Sequence, residues 1–417
     1  MQNTAEPGPD APIDVTPLLD DPHAASAALR ASGPVHRITG PDGHPAWLVT
    51  RYDDVRDALA DPRLSLDKRH AAPGGYRGFS LPPALDANLL NMDPPEHTRV
   101  RRLVVKAFTT GRMDTLREPV RRIADELLDA MEARGGPADL IADYAGPLPV
   151  IVICDLLGVP QRDRHDFRAW TDALITPDPT RPELMKQAIG AMLEFFTGLI
   201  AGKRAAPGDD LLSDLIAVRD GADDTDGDRL TEDELTSLAF LILFAGYENS
   251  VHLIGNAALT LLEHPDLYDR LLRHPHELPQ AVDEFLRHDG PAPLAIRRFP
   301  TEDLEIGGVR IRTGETVLLG IASANRDPAR FPDPDTFDPH RDLSGHLALG
   351  HGIHRCLGAP LARMEAEIAL GALISRFPGL RRGVAQGDLR RRRSLRARGL
   401  ISLPVTWKSR NEQVFEA

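Results

Sequence analysis

The stretch Leu349-Gly350-His351-Gly352-Ile353-His354-Arg355-Cys356-Leu357-Gly358-Ala359-Pro360 constrains this chain more than any other. Three glycines bracket one cysteine, and a proline opens the apolar pattern that follows. Glycine accepts left-handed backbone angles and lets a flat ligand approach closely. Proline favours the first position of a helix. The segment therefore presents a thiol on a tight turn at a helix N-terminus, where the dipole and free amides favour thiolate over thiol. An anionic sulfur held this way suits the axial position of a ferric heme, whose O–O cleavage it promotes. Two other readings stand beside it. His351, His354 and Cys356 suggest zinc, although no fourth ligand has convincing spacing. The third is a plain buried cysteine in a glycine turn.

The 417 residues are 42% hydrophobic and 27% charged, an ordinary globular composition with ample material for a core. A net charge of -13 argues against nucleic acid or an anionic membrane as the main partner. The opening MQNTAEPGPDAPIDV has neither the basic nor the apolar region of a secretory signal, and residues 1–15 are expected to be poorly ordered. The longest apolar run, Leu238 to Ala245, is short for a bilayer span. These features point to a cytoplasmic protein. Two cysteines do not make a disulfide scaffold, and Cys154, inside the apolar run 150–157, reads as inert core.

Residues 46–50 read as a strand and 52–59 as a helix, followed by a long loop over 66–90. From Asp93 to about Leu272 helical periodicity dominates, and Asp220 to Asp228 forms an acidic connector. Strand-like pieces follow at 296–299, 304–308 and 316–319, then proline-rich coil over 328–339 and a helix over 360–377. The expected class is mainly α with small β-sheets.

Three further segments carry chemistry. Leu238 to Phe244 is apolar all round, so its helix is buried. It continues as Ala245-Gly246-Tyr247-Glu248-Asn249-Ser250, and polar groups inside a buried helix need a partner or a task. Glu284 and Arg287 are spaced i, i+3, a pattern that Glu118 and Arg121 also match and that is usually a solvated face. Asp93 resembles an N-cap, with Pro94 at N1 and Glu96 at N3, and the helix it would start carries His97 and Arg101 on one face.

Taken together, these motifs resemble those of the cytochromes P450. The cysteine loop is similar to the family pattern Phe-Gly-x-Gly-x-x-x-Cys-x-Gly, with Leu349 replacing the aromatic. Residues 245–249 resemble the family's Ala-Gly-x-Glu/Asp-Thr, with Asn249 replacing threonine. The resemblance reaches nearly the whole chain, from Trp47 to Val405, and is nearest to actinobacterial enzymes acting on macrolides and other polyketides. It implies a single P450 domain over 1–417, with an oxygen-activating helix at 235–262, a K helix at 281–290, and the cysteine loop and its helix at 346–377.

The resemblance further implies heme b, with Cys356 as axial ligand and Gly350 and Gly352 shaping the loop. His97, Arg101, Arg298 and His354 would hold the propionates. Glu284, Arg287 and Arg341 would form a buried structural triad. Ala245 and Gly246 would leave room for dioxygen, and Glu248 and Asn249 would serve proton delivery, with a substrate hydroxyl and waters assisting where threonine is missing. Asn91, Leu243, Tyr247, Leu294, Ala295 and Leu395 would line the substrate pocket, with Ala292 adding room.

The implied reaction consumes O2, two electrons and two protons, puts one oxygen into a C–H or C=C bond and releases water. No flavin or iron–sulfur motif is present, so electrons from NAD(P)H would arrive through a ferredoxin and its reductase. Arg102, Lys106, Arg112 and Arg355 are candidates for that dock, while Arg390 to Arg393 reads as a solvated surface run. A heme-thiolate peroxygenase and a non-enzymatic heme sensor are the competing readings; the Ala245-Gly246-x-Glu248 segment counts against the sensor.

Overall fold

The structure is a computed structural model that describes residues 12–40, 43–75, 81–108, 110–164, 170, 174, 182–220 and 229–407. Most of the expected tail (1–11) and the acidic connector from 221 to 228 lie outside the described residues. The chain forms two compact units, each assembled from separate stretches.

The first unit holds residues 1–79, 283–356 and 392–398. Val35–Thr39 pairs antiparallel with Pro45–Val49, which pairs parallel with Val317–Leu319. Leu304–Ile306 and Val309–Ile311 form a hairpin whose turn residues, Gly307 and Gly308, have φ of 55° and 80°. Two successive positive φ angles make the tight turn that matches strand twist, and glycine supplies them without strain. Val49, Val55, Leu59, Ile311, Val317, Leu319 and Phe331 pack into one apolar cluster beneath the Tyr52–Ala60 helix.

The second unit holds residues 80–282, 357–391 and 399–417 and is mainly helical. Its axis is the Glu232–Glu263 helix, opened by a capping box in which Thr231 Oγ1 accepts from Glu234 N and Glu234 Oε2 accepts from Thr231 N. Pro83–Asp86, Pro147–Leu156, Pro182–Ala205 and Ala359–Arg376 pack against it. Gly246 and Gly255 set two of these approaches: a Cβ would lie 3.0 Å from Ile153 Cδ1 at the first and 2.6 Å from Ile141 Cδ1 at the second. Tyr144 and Tyr268 donate to the carbonyls of Ala369 and Phe377, both at 2.7 Å, and so tie down the Ala359–Arg376 helix and its end.

Glu183–Ala205 and Glu232–Glu263 are long and apolar enough to cross a bilayer, which the count of uninterrupted apolar residues understates. Span depends on helix length, and isolated polar residues do not shorten it. In Glu232–Glu263, 67% of the apolar window is covered by the protein, as befits a core helix.

The expected helix start at Asp93 is corrected. The helix runs Glu96–Ala107 with Pro95 at the N-cap and no side-chain cap. Pro94 and Pro95 carry no N–H to donate, so the helix opens through the backbone bond from His97 N to Asp93 O.

Candidate active site

In the first unit, Cys356 ends a short turn and is exposed. Its N–H donates to Leu349 O at 2.8 Å, which closes the turn. Gly350 and Gly352 have φ of 75° and 72°, which confirms their place in the turn. A Cβ on Gly352 would stand 3.2 Å from both Ala60 Cα and Leu59 O, so the loop closes on the Tyr52–Ala60 helix only because that atom is missing. Arg298 is 3% exposed and paired through its backbone with Val317; His354 is half-buried in the Gly352–His354 turn.

Glu284 and Arg287 are both fully buried, whereas Glu118 and Arg121 are exposed, and this burial separates a structural pair from a surface one. Arg287 donates to both Glu284 oxygens at 2.6 and 2.7 Å. Arg341 Nε lies 3.6 Å from Glu284 Oε1, and Asp338 N donates to that oxygen at 2.9 Å.

Leu294 and Leu395 line one small pocket with Leu48, Thr50 and Gly320. Ala295, half-buried, packs against the apolar cluster of Val49, Val317 and Leu319, and its N–H is bonded to Leu319 O. Ala292 lines a separate, smaller pocket.

In the second unit, His97 is 1% exposed and Arg101 half-buried, one turn apart on the same helix. Asn91 donates to Asp86 O and Oδ1 at 3.0 Å and so is part of the turn beside Pro83–Asp86.

Between Glu234 and Leu261 the Glu232–Glu263 helix is buried except at Leu241, Phe244, Ala245, Gly246, Glu248 and Asn249. Leu241, Phe244, Ala245, Glu248 and Asn249 are spaced i, i+3, i+4, i+7, i+8, which makes one continuous strip, with Gly246 beside it. Leu243 and Tyr247, both expected in the substrate pocket, are buried on the side of the helix away from Ala245, and Leu241 and Phe244 lie on the strip instead. Ile153 packs beside Gly246, with its Cδ1 3.0 Å from where a Cβ would stand. Asn249 Nδ2 reaches Ala245 O at 3.5 Å, a long contact that restrains the amide only weakly.

Sequence reading missed Glu365. It lies in the apolar stripe of Leu361, Met364, Ile368 and Ala369 on the Ala359–Arg376 helix, and an acid there was the available signal. It is 1% exposed, and burial pushes its carboxyl up to about 8, while a hydrogen bond with Ser250 pulls the other way. A carboxyl that keeps its proton at neutral pH therefore meets the hydroxyl one residue past Asn249. Because the folded value exceeds the ordinary one, the stabilisation is full below the unfolded value of 4.5 and lost as pH rises through about 8. Glu365→Gln is therefore expected to match the native protein at pH 4 and melt higher than it at pH 9. Equal melting temperatures at both pH values would show that Glu365 does not titrate in the fold.

Cys154 is fully buried and its thiol is pushed up to about 12 by desolvation, as an inert core residue should be. Arg112 is corrected as a dock residue, since it pairs with Asp214 at 2.5 Å. Arg391 is no surface cation either: it donates to Asn256 Oδ1 at 3.2 Å, and Arg393 pairs with Asp20. No cluster of three or more His, Cys, Asp or Glu able to hold a metal occurs among the described residues, so zinc has no support.

The family model described as Cytochrome P450 matches residues 175–382. Cytochrome P450 107B1 of Saccharopolyspora erythraea is 47% identical over 93% of this chain and 95% of its own length. The 6-deoxyerythronolide B hydroxylase of the same organism is 45% identical over 91% and 94%. The tirandamycin C-bound structure of the P450 monooxygenase TamI superposes with a TM-score of 0.87 at 44% identity, covering 95% of this chain and all of that one. This chain belongs to the cytochrome P450 family.

It is a P450 monooxygenase, which uses heme, dioxygen and reducing equivalents. The residues present fit heme. A cysteine thiol stands exposed on a turn of two positive-φ glycines, which suits a thiolate ligand and lets a flat cofactor approach the backbone closely.

Proposed function

We propose that this P450 hydroxylates or epoxidises a largely apolar natural product, a macrolide or other polyketide, in secondary-metabolite biosynthesis in the cytoplasm. The observation that carries the reading is the uncovered strip midway along the Glu232–Glu263 helix, apolar at Leu241, Phe244 and Ala245 and polar at Glu248 and Asn249. One end can pack an apolar substrate while the other handles protons. The names of two relatives, with their 6-deoxyerythronolide B and tirandamycin C, support the substrate class.

Bound through Cys356, heme supplies the oxidation chemistry. The residues that would bind its carboxylates are Arg298 and His354 in the first unit and His97 and Arg101 in the second. Glu248 carries protons at its carboxyl, the Asn249 amide orients what lies over the strip, and a substrate hydroxyl assists where a side-chain hydroxyl is missing. Leu294 and Leu395 shape the substrate's surroundings. Electrons come from NAD(P)H through a ferredoxin and its reductase, docking at Arg102 and Lys106, both exposed.

The test is turnover of 6-deoxyerythronolide B under labelled dioxygen with a surrogate ferredoxin and reductase. One labelled oxygen per product is expected. Reversing Arg102 and Lys106 to glutamate is expected to slow reduction by about tenfold and weaken its salt dependence. Unlabelled product would overturn the oxygenase reading, and an unchanged reduction rate the dock.

A further inference from the structure

One polar residue deep in the Glu232–Glu263 helix has no part in the reading above. His252 is 3% exposed, and its Nε2 lies 3.4 Å from Oε1 of Glu248, one turn before it. Its ring is seated by a glycine. A Cβ on Gly399 would fall 1.9 Å from His252 Nδ1, 2.4 Å from Cγ and 2.5 Å from Cε1. No side chain fits at 399, and none does because the ring occupies that space.

The seat is itself anchored. Arg391 and Leu400 form an antiparallel bridge, and Ile401 N donates to Arg390 O at 2.8 Å. Arg391 also reaches Asn256, one turn beyond His252, on the same helix. The seat on Gly399 and the bond to Asn256 thus brace this part of the helix from one segment. The ring has little freedom, and its Nε2 is aimed along the helix at Glu248.

An i, i+4 pair on an exposed helix contributes only a few tenths of a kcal/mol. Here one member is almost fully buried, the other lies on the uncovered strip with its side chain 18% exposed, and a glycine is reserved for the ring. We infer that His252 is a positioning residue for Glu248: clamped on Gly399, it donates from Nε2, holds the carboxyl toward the Ala245–Asn249 strip and steadies the negative charge left when Glu248 gives up its proton. The Glu248 carboxyl passes its proton to a water over the strip, the carboxylate keeps the His252 N–H as its partner, and a proton from solvent then restores the carboxyl. The other ionisable groups near this part of the helix have partners of their own: Arg391 donates to Asn256, and the protonated Glu365 carboxyl meets Ser250. The inference rests on Glu248 carrying protons, as proposed above.

Two measurements on the heme-loaded protein test it. In ring-15N-histidine NMR, the signal lost in His252→Asn identifies His252, and Glu248→Gln and Gly399→Ala are each expected to move it. In substrate-free oxygen consumption with a surrogate ferredoxin and reductase, His252→Asn is expected to lower the rate by at least about threefold and change its pH profile in the same sense as Glu248→Gln. His252→Gln, which keeps an N–H donor, should recover part of the rate and covers the case in which the asparagine or alanine variant fails to fold. If Glu248→Gln changes rate and profile while the His252 variants behave as the native protein, the positioning role is overturned and the role of Glu248 stands. If Glu248→Gln changes nothing, both fall.

Discussion

Replacing Cys356 with serine is expected to abolish the strongly red-shifted Soret band of the reduced protein under carbon monoxide, and to cut oxygenation by more than about a hundredfold, the upper range for changes to a ligand's supporting partners. The turn would survive the substitution. It is closed by Cys356 N to Leu349 O and by Arg355 N to Gly352 O, both backbone bonds, and by two glycines with positive φ. What disappears is a thiolate, and a serine hydroxyl does not ionise near neutral pH to replace it. Cys154→Ser is the matched control. That thiol is buried and pushed up to about 12, so the spectrum should not change. A red-shifted band persisting in Cys356→Ser would remove this residue from the iron.

The second large effect is on stability. Glu284→Ala is expected to cost about 3–5 kcal/mol, because it leaves a charged group buried without its partner. Arg287 has no exposed side-chain surface. It donates to both Glu284 oxygens, to Asn325 O at 3.0 Å and to Pro334 O at 2.9 Å, and its guanidinium lies 5.6 Å from the Phe331 ring. Glu284 also accepts from Asp338 N and lies near Arg341, which donates to Asp333 O and Thr336 O. One carboxylate therefore gathers the segment from Asn325 to Arg341 that leads into the cysteine turn. Lysine at 287 would not rescue it, since an ammonium cannot make the paired contacts of a guanidinium. Glu118→Ala, which breaks the exposed pair of the same spacing, should leave the unfolding midpoint nearly unchanged. Urea unfolding of the three proteins decides it: a loss at Glu284 below about 1 kcal/mol would mean the triad does not hold the fold.

Much of this enzyme was legible in its residues alone. Glycines beside Cys356, a wholly apolar run ending in Gly246 and Glu248, and the order of strand-like pieces after Asp289 are local patterns. Local patterns follow from backbone freedom and from the period with which apolar residues recur. They brought the mainly helical class, the family and the long core helix within a few residues of their observed ends. Tertiary structure alone decided which matching patterns matter. Glu284–Arg287 and Glu118–Arg121 share a spacing, and only burial separates them. Leu243 and Leu241 are equally apolar, and only the packing of neighbouring helices covers one and leaves the other on the open strip. Glu365 with Ser250, and Gly399 with His252, join residues more than a hundred positions apart. No local propensity encodes such a meeting, because burial and close approach depend on where the rest of the chain has gone. The sequence determined which groups could do chemistry; the fold decided which of them keep a proton, a partner or an open face.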